Sequence, residues 1–306
     1  MSFAQSFKRI YKAVLPVSFL LAKDTLTLKL RYGSLHKTIR GYLRSLEKAN
    51  SISAEQKNIA AYLENHFLPV FPYPFADKYH VKDVTVLYDE GKKLHYVLWQ
   101  NKRLYFKKEF TTYDIKRAVV ALMAEQDSSS AHRYLTDDFK VETGNVIVDV
   151  GAAEGNFTLG VIEQAKKVYL IEADAQWLPA LQATFEPWKE KVEIICRFAS
   201  DKDSSNEISI DAIYKKEGRI DFLKIDTEGS EEKVLNGAMQ LIRTTKENLR
   251  LALCTYHKQH DADKFSSLLK GLNFNISFSD GYLIFFYDSN QEPPYLRKAL
   301  IRAHLN

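Results

Sequence analysis

Five short apolar runs constrain this chain more than any other feature of its sequence. They are VIVDV (146–150), VYLIEA (168–173), VEIICRFA (192–199), IDFLKID (220–226) and LRLALCTY (249–256). Most are followed by ten or more residues with helical potential. Runs of four to eight apolar residues with little polar alternation read as strands buried on both faces. Such strands alternating with helices make a parallel sheet covered on both sides, an α/β architecture. After a helix at about 261–271, FNISFS and YLIFFYD flank Asp280-Gly281, which reads as a hairpin closing the sheet. Five parallel strands closed by such a pair depart from the plan of the dinucleotide dehydrogenases.

The first half of the chain is patterned differently. Leu35, Ile39, Leu43 and Leu46 give a helical apolar face, and Ser53 with Gln56 forms a capping box for a second helix. FLPVFPYPF (67–75) holds three prolines and cannot be regular helix. Val84–Tyr88, His95–Trp99 and Arg103–Phe106 read as an antiparallel meander, and Thr111 or Thr112 starts another helix ending near Ala124. The expected organisation is a basic helical and β-meander accessory region (1–110), a linker or lid (111–140), a cofactor-binding domain (141–290) and a basic C-terminal tail (291–306). A length of 306 residues suits about two domains. With 45% hydrophobic residues and a net charge of only +4, disorder is excluded. Cys196 and Cys254 each lie in an apolar run, fitting buried thiols in a reducing compartment. No zinc-type spacing is present, so secreted mini-scaffolds and structural zinc modules are excluded.

Charge is unevenly spread. Residues 1–50 hold ten Lys or Arg against Asp24 and Glu47 alone, so the rest of the chain is mildly acidic. A basic arm on an acidic body suggests an anionic contact: a membrane surface, an acidic glycan or its carrier, or glycan-assembly enzymes, with no nucleic acid expected. AVLPVSFLLA (13–22) is too short to span a bilayer, which takes about 20 residues. Pro16 interrupts it and no clear small-x-small cleavage pattern follows, which argues against a signal peptide. An interfacial amphipathic segment and an ordinary docked helix both remain open. The expected setting is cytoplasmic, with room for peripheral contact at the inner face of a membrane.

Two strand ends carry the chemistry. In VIVDVGAAEGNFTLGVI, Asp149 sits near a strand end, Gly151 and Gly155 bracket a loop, and Asn156 is placed to cap a helix from Phe157. Glycines there admit positive φ and close approach of backbone N–H groups to a ligand. The spacing is GxxxG rather than the GxGxxG that seats a pyrophosphate. Glu172 ends the next strand, 21 positions after Gly151, where an acid commonly grips ribose hydroxyls. In IDFLKIDTEGSEEKVLNGA (220–238), Lys224, Asp226, Glu228 and Glu231 gather at a strand end and the helix after it. Groups of this kind are costly unless exposed, paired or used. The helix macrodipole accounts for Glu231 and Glu232, and less well for Lys224 and Asp226.

Together, DVGAAEGNFTL and FLKIDTEGSEEKVLNGA resemble the FkbM family of S-adenosylmethionine-dependent methyltransferases over about 125–288. The family's central signature is a lysine–hydrophobic–aspartate–x–glutamate–glycine–small–glutamate string ahead of a leucine-glycine helix. The first loop departs from it at Ala153-Glu154, where relatives more often carry an asparagine and a small or aliphatic residue. The resemblance implies a class I methyltransferase sheet, Rossmann-like, of seven strands with the last antiparallel. It also implies O-methylation, in bacteria often of sugars in surface polysaccharides. Carried over, Asp149, Gly151, Ala152, Gly155 and the adjoining Asn156 line the methionine and ribose portion, and Glu172 holds the ribose. Ser200 and Asp201 lie near the adenine, while Asp226 and Glu228 face the methyl group and the acceptor.

A sugar hydroxyl needs a general base. His257, directly after the fifth strand in CTYHKQHDADKF, suits that role beside Asp226, with Lys224 and Glu228 completing the catalytic candidates. Asp226, Glu228 and His257 could alternatively hold a divalent metal. AEQDSSSAHRYLTDDF (124–139) reads either as a lid over cofactor and acceptor or as a hydrated linker. Two other classes compete: an NAD-type oxidoreductase, and a binding protein that kept the fold and lost catalysis.

Overall fold

The computed structural model describes residue 12, residues 15–245 and residues 248–305. Ala13 and Val14 of the early apolar run, and most of the arm before them, lie outside the described residues.

The first of the five apolar runs forms β4 (Asn145–Val150), a strand buried at every position. β5 (Ala165–Ile171) pairs with it on one side and β9 (Phe222–Ile225) on the other, both parallel. β6 (Val192–Ile195) extends the sheet beyond β5, and β10 (Arg250–Cys254) extends it beyond β9. β12 (Leu300–His304) then runs antiparallel between β10 and β11 (Asn275–Phe278), giving the order β11-β12-β10-β9-β4-β5-β6. Strand order reverses at β4/β9, which places the ligand crevice of such a sheet at their carboxyl ends.

Helices cover both faces. α4 (Asn156–Val161) and α5 (Leu178–Phe185) lie on one, with Phe157, Leu181 and Phe185 in its core. α6 (Ile210–Glu217), α7 (Glu231–Asn236), α8 (Met239–Thr244) and α9 (Asp261–Gly271) cover the other, burying Ile213, Leu235, Leu241 and Phe265. The meander β1 (Leu87–Asp89), β2 (Leu94–Trp99) and β3 (Lys102–Tyr105) packs on the first face through Leu104 and Tyr105. The expected capping box exists, Ser53–Gln56 at α2 (Ala54–Asn65), and Thr111, one of the two threonines expected to start the next helix, forms a second with Asp114 at α3 (Thr112–Glu125).

The structure corrects several sequence expectations. The partner of the 275–278 strand is Leu300–His304, not the 282–288 segment, which only makes an isolated bridge at Leu283. Residues 300–304, expected in a basic tail, therefore form an internal strand with Leu300, Ile301 and Ala303 fully buried. The arginines that suggested a tail are spent on backbone carbonyls. Arg297 Nη1 donates to Tyr256 O and His257 O at 2.8 Å, and Arg302 Nε to Tyr134 O at 3.1 Å. Segment 283–296 leaves the sheet to place Ile284, Phe286, Tyr295 and Leu296 against Ile39, Leu43, Ile59 and Leu63. The run VEIICRFA breaks at Cys196-Arg197, leaving Cys196 exposed and only Cys254 buried. Its last residues, β7 (Phe198–Ala199), pair with β8 (Glu207–Ile208) in a separate two-stranded sheet. Asn156 does not cap α4; Gly155, at φ 83°, holds the cap position.

Helix α1 (Val17–Lys48) starts right after Pro16 and is far longer than the 35–48 stretch expected. It packs on α2 through Ile39 and Leu43. No helix among the described residues is long and apolar enough to cross a membrane.

Candidate active site

The crevice at the β4/β9 switch is built from the two motifs. Gly151, at φ 73°, hydrogen-bonds Ile171 O through its N–H. A Cβ there would lie 1.8 Å from Asp226 O, so any side chain would push the two motifs apart. Asp149 is fully buried. It accepts from Thr158 Oγ1 at 2.8 Å and pairs with Lys224 Nζ at 3.0 Å. The same ammonium donates to Gly151 O at 2.8 Å and lies under the Tyr134 ring. Lys224 thus ties β9 to the glycine loop and acts by positioning it. Burial would lower its pKa, but Asp149 and Asp226 hold it above the ordinary value.

Glu172 follows β5 and accepts from the Ala153 N–H at 2.9 Å and the Asp174 N–H at 2.8 Å, closing the loop from the side. Ala153 (φ 46°) and Glu228 (φ 56°) both adopt the left-handed region without being glycine. Such strain gathers where surrounding structure holds a functional loop in place. Glu154 is buried and accepts no hydrogen bond from the side chain or backbone of another described residue; burial pushes its carboxyl up to about 7.

Asp226 is the centre of the second cluster. Its Oδ2 accepts from Tyr134 Oη at 2.6 Å and lies 3.6 Å from His132 Nε2. Its Oδ1 lies 3.4 Å from Tyr256 Oη and 3.6 Å from His257 Nε2. Burial alone would raise its pKa, but Lys224, His132, His257 and the Tyr134 hydroxyl hold the carboxyl well below its ordinary range. His257 places Nδ1 2.8 Å from Glu231 Oε1, which also accepts from the Thr227 N–H at 2.9 Å. Burial would lower the His257 pKa, yet Glu231 and Asp226 carry it above the usual value. Burial pushes His132 down to about 4, so it is a neutral imidazole at neutral pH.

A cleft of about 890 Å³ opens beside this cluster, between α1, α3, the 70–82 segment and the 283–287 segment. Glu125, His132, Glu228 and Tyr256 line its inner end. Glu125 is pushed up to about 8, by burial first and then by the carboxylates of Asp226 and Glu154.

The structure therefore brings together Asp149, Gly151, Ala152, Gly155, Glu172, Lys224, Asp226 and His257. Glu228 is exposed at the cleft. Asn156 is buried in the first turn of α4. Ser200 and Asp201 share a hydrogen bond of 3.2 Å, and the Ser200 backbone closes on Gly237; no hydrogen bond among the described residues ties them to the glycine loop. The metal alternative named Glu228, but Glu231 takes that place: ligand atoms of Asp226, Glu231 and His257 lie within 4.8 Å of one another. Segment 124–139 is packed rather than hydrated around His132 and Tyr134, both buried. Sequence reasoning assigned Glu231 to the helix dipole and gave Tyr256 no role. The available signal was the place of Tyr256 just after a strand end and of Glu231 at the start of the helix that follows the neighbouring strand.

A seven-stranded sheet in this order, with β12 reversed and a glycine loop at the switch point, is a class I methyltransferase sheet. Residues 180–280 match the family model described as the methyltransferase FkbM domain, which bears out the resemblance carried by the FLKIDTEGSEEKVLNGA string. No curated protein matches the chain. Among solved structures, the methyltransferase FkbM from Methylobacillus flagellatus KT is similar at 18% identity and a TM-score of 0.46, over 63% of this chain and 54% of its own. The chain therefore spans about half the length of that protein. An rRNA methylase from Streptococcus thermophilus is similar at 16% identity and a TM-score of 0.38, over 54% of this chain and 90% of its own. SMU.1697c from Streptococcus mutans, described as a methyltransferase and solved in complex with SAH, is similar at 15% identity and a TM-score of 0.34, over 54% of this chain and 90% of its own.

S-adenosylmethionine is the methyl donor of the FkbM domain, and the loop residues fit it. Glu154 is a buried carboxyl with no hydrogen-bond partner among the other described residues, at a place that suits an ammonium group, and Glu172 offers a carboxylate suited to ribose hydroxyls.

Proposed function

We propose that the chain is an S-adenosylmethionine-dependent O-methyltransferase acting on a hydroxyl of a sugar, in a surface glycan or a carrier-linked saccharide. The observation that carries this reading is the position of Asp226. Its backbone carbonyl abuts Gly151 of the cofactor loop, while its carboxylate joins Tyr256 and His132, which line the cleft. One residue thus faces both the methyl donor's loop and the space for an acceptor.

S-adenosylmethionine, held by the glycine loop, Glu154 and Glu172, would supply a methyl group to an acceptor oxygen, the C–S bond breaking as S-adenosylhomocysteine leaves. Asp226, held ionised, orients the acceptor hydroxyl by accepting its hydrogen bond. The departing proton has two imidazoles beside that carboxylate, His257 and the neutral His132. A positioned base of this kind contributes typically about 10²–10⁴-fold. Lys224 and Asp149 hold the loop, and Glu228 at the cleft offers an acceptor for a further sugar hydroxyl. The aromatic rings of Tyr79, Phe285 and Tyr256 in the cleft suit a sugar face. A cytoplasmic setting belongs to this reading.

The test begins with calorimetric titration by S-adenosylhomocysteine, with NAD and NADP in parallel. Saturable binding of the first alone, lost in Glu172→Ala, is expected. In a subsequent screen of sugar acceptors, Asp226→Asn should lower kcat about 10²–10⁴-fold while S-adenosylhomocysteine still binds. Binding of NAD alone, or full turnover by Asp226→Asn, would overturn the reading.

A further inference from the structure

α1 has two unlike faces. Its inner face carries Leu20, Leu28, Ile39 and Leu43 into contact with the body of the protein. Its outer face follows positions 19, 23, 26, 30, 34, 37, 41, 44 and 48, a line at helical three- and four-residue spacing. At 1.5 Å per residue the helix is about 48 Å long, and this line runs nearly its whole length. The N-terminal half of the line carries three large apolar side chains around Lys23: Phe19 is 55% exposed, Leu26 58% and Leu30 79%. Its C-terminal half is basic, through exposed Lys37, Arg44 and Lys48, with Lys29 and Arg31 exposed on the flanks of the apolar part. No acid stands on the line. Asp24 is turned inward to Arg117 and Tyr113.

We propose that this outer face of α1 is a docking surface for a lipid bilayer bearing anionic headgroups. Large apolar side chains held in water along a folded helix are costly unless something covers them. A bilayer interface takes Leu and Phe into the acyl boundary while its headgroups meet flanking Lys and Arg, which is the composition of helices lying in the membrane plane. The charge argues against a second copy as the occupant, because two such faces would bring like charges together. The docked geometry also has a use: Leu21 and Leu28, on the other side of the same helix, line the cleft, so docking brings the cleft alongside the lipid surface. The docking itself does not depend on the methyltransferase reading.

The test is co-sedimentation of the full chain with phosphatidylcholine vesicles, with and without phosphatidylglycerol. Binding is expected only to the anionic vesicles and should weaken at high salt. Leu26→Glu with Leu30→Glu should abolish it. Lys37→Ala and Lys48→Ala should each weaken it about fivefold, as for one basic residue near an anionic surface. Thermal melting of each variant should match the wild type, since these side chains point away from the core. If the wild type ignores anionic vesicles, or if the leucine and lysine variants bind as well as it does, the proposal is wrong. A wild-type dimer that Leu26→Glu splits, with vesicles left unbound, would instead make this face a subunit contact.

Discussion

At the scale of single residues, burial and pairing divide the ionisable groups of the two motifs into different roles. Lys224, a catalytic candidate from its sequence position, has its ammonium committed to Asp149 and to Gly151 O. Removing one partner of such a buried pair typically costs about 3–5 kcal/mol, so its contribution is to hold the loop. His257 and Glu231 form a second pair with a testable pH signature. The folded-state pKa of His257 is raised above 6.5, so its stabilisation is complete below that value and lost as pH rises through the folded pKa. Glu231 is lowered below 4.5, so its share is present above that value and lost as pH falls through the folded pKa. The stability lost in His257→Gln should therefore be greatest between about pH 4.5 and 6.5 and shrink on the alkaline side. Urea denaturation across that range checks it, and a difference independent of pH would refute the pairing. Asp226 and Glu172 were legible in the sequence because strand-end acids follow from a strand pattern. The Glu231–His257 contact was not, since it joins the start of α7 to the loop after β10.

Among the elements, those specified by local chemistry were readable. The capping boxes at Ser53 and Thr111, the meander and all five parallel strands stand where side-chain pattern and turn residues put them, although VEIICRFA fills its place only through Val192–Ile195. One expected strand failed. YLIFFYD is apolar enough to be a sheet strand, but hydrophobicity does not name the surface that buries a segment. Phe286 and Ile284 found the N-terminal helices instead, and LIRAH took the place in the sheet. A chain ending at Lys298 lacks β12 and so uncovers the edges of both β10 and β11. It should lose cooperative thermal unfolding and bind a hydrophobic dye. A dispensable tail would leave the melting transition unchanged.

For the whole molecule, the accessory region is part of the fold rather than an appendage. α1 and α2 bury Ile284, Phe286, Tyr295 and Leu296 of the C-terminal segment, and α1 walls the cleft. Each large apolar side chain returned to water costs about 1.5–3 kcal/mol, so exposing four approaches the total stability of an ordinary domain, about 5–15 kcal/mol. Deleting residues 1–50 should therefore yield an aggregating or largely unfolded protein, judged by light scattering and circular dichroism. A deletion that melts as the full chain does would show these contacts to be incidental.

The amino-acid sequence determined what depends on neighbours along the chain: buried strands from apolar runs, helix starts from Ser and Thr caps, a glycine loop from Gly151 and Gly155, and strand-end acids at 172 and 226. It also carried the FkbM string within residues 180–280. Only the tertiary structure decided which strand closes the sheet, that Lys224 serves the loop, and that residues from α1, α3 and the 283–287 segment share one cleft. Those facts depend on contacts between residues tens to hundreds of positions apart. Such contacts are chosen by competition among equally apolar surfaces, and no local pattern records the winner.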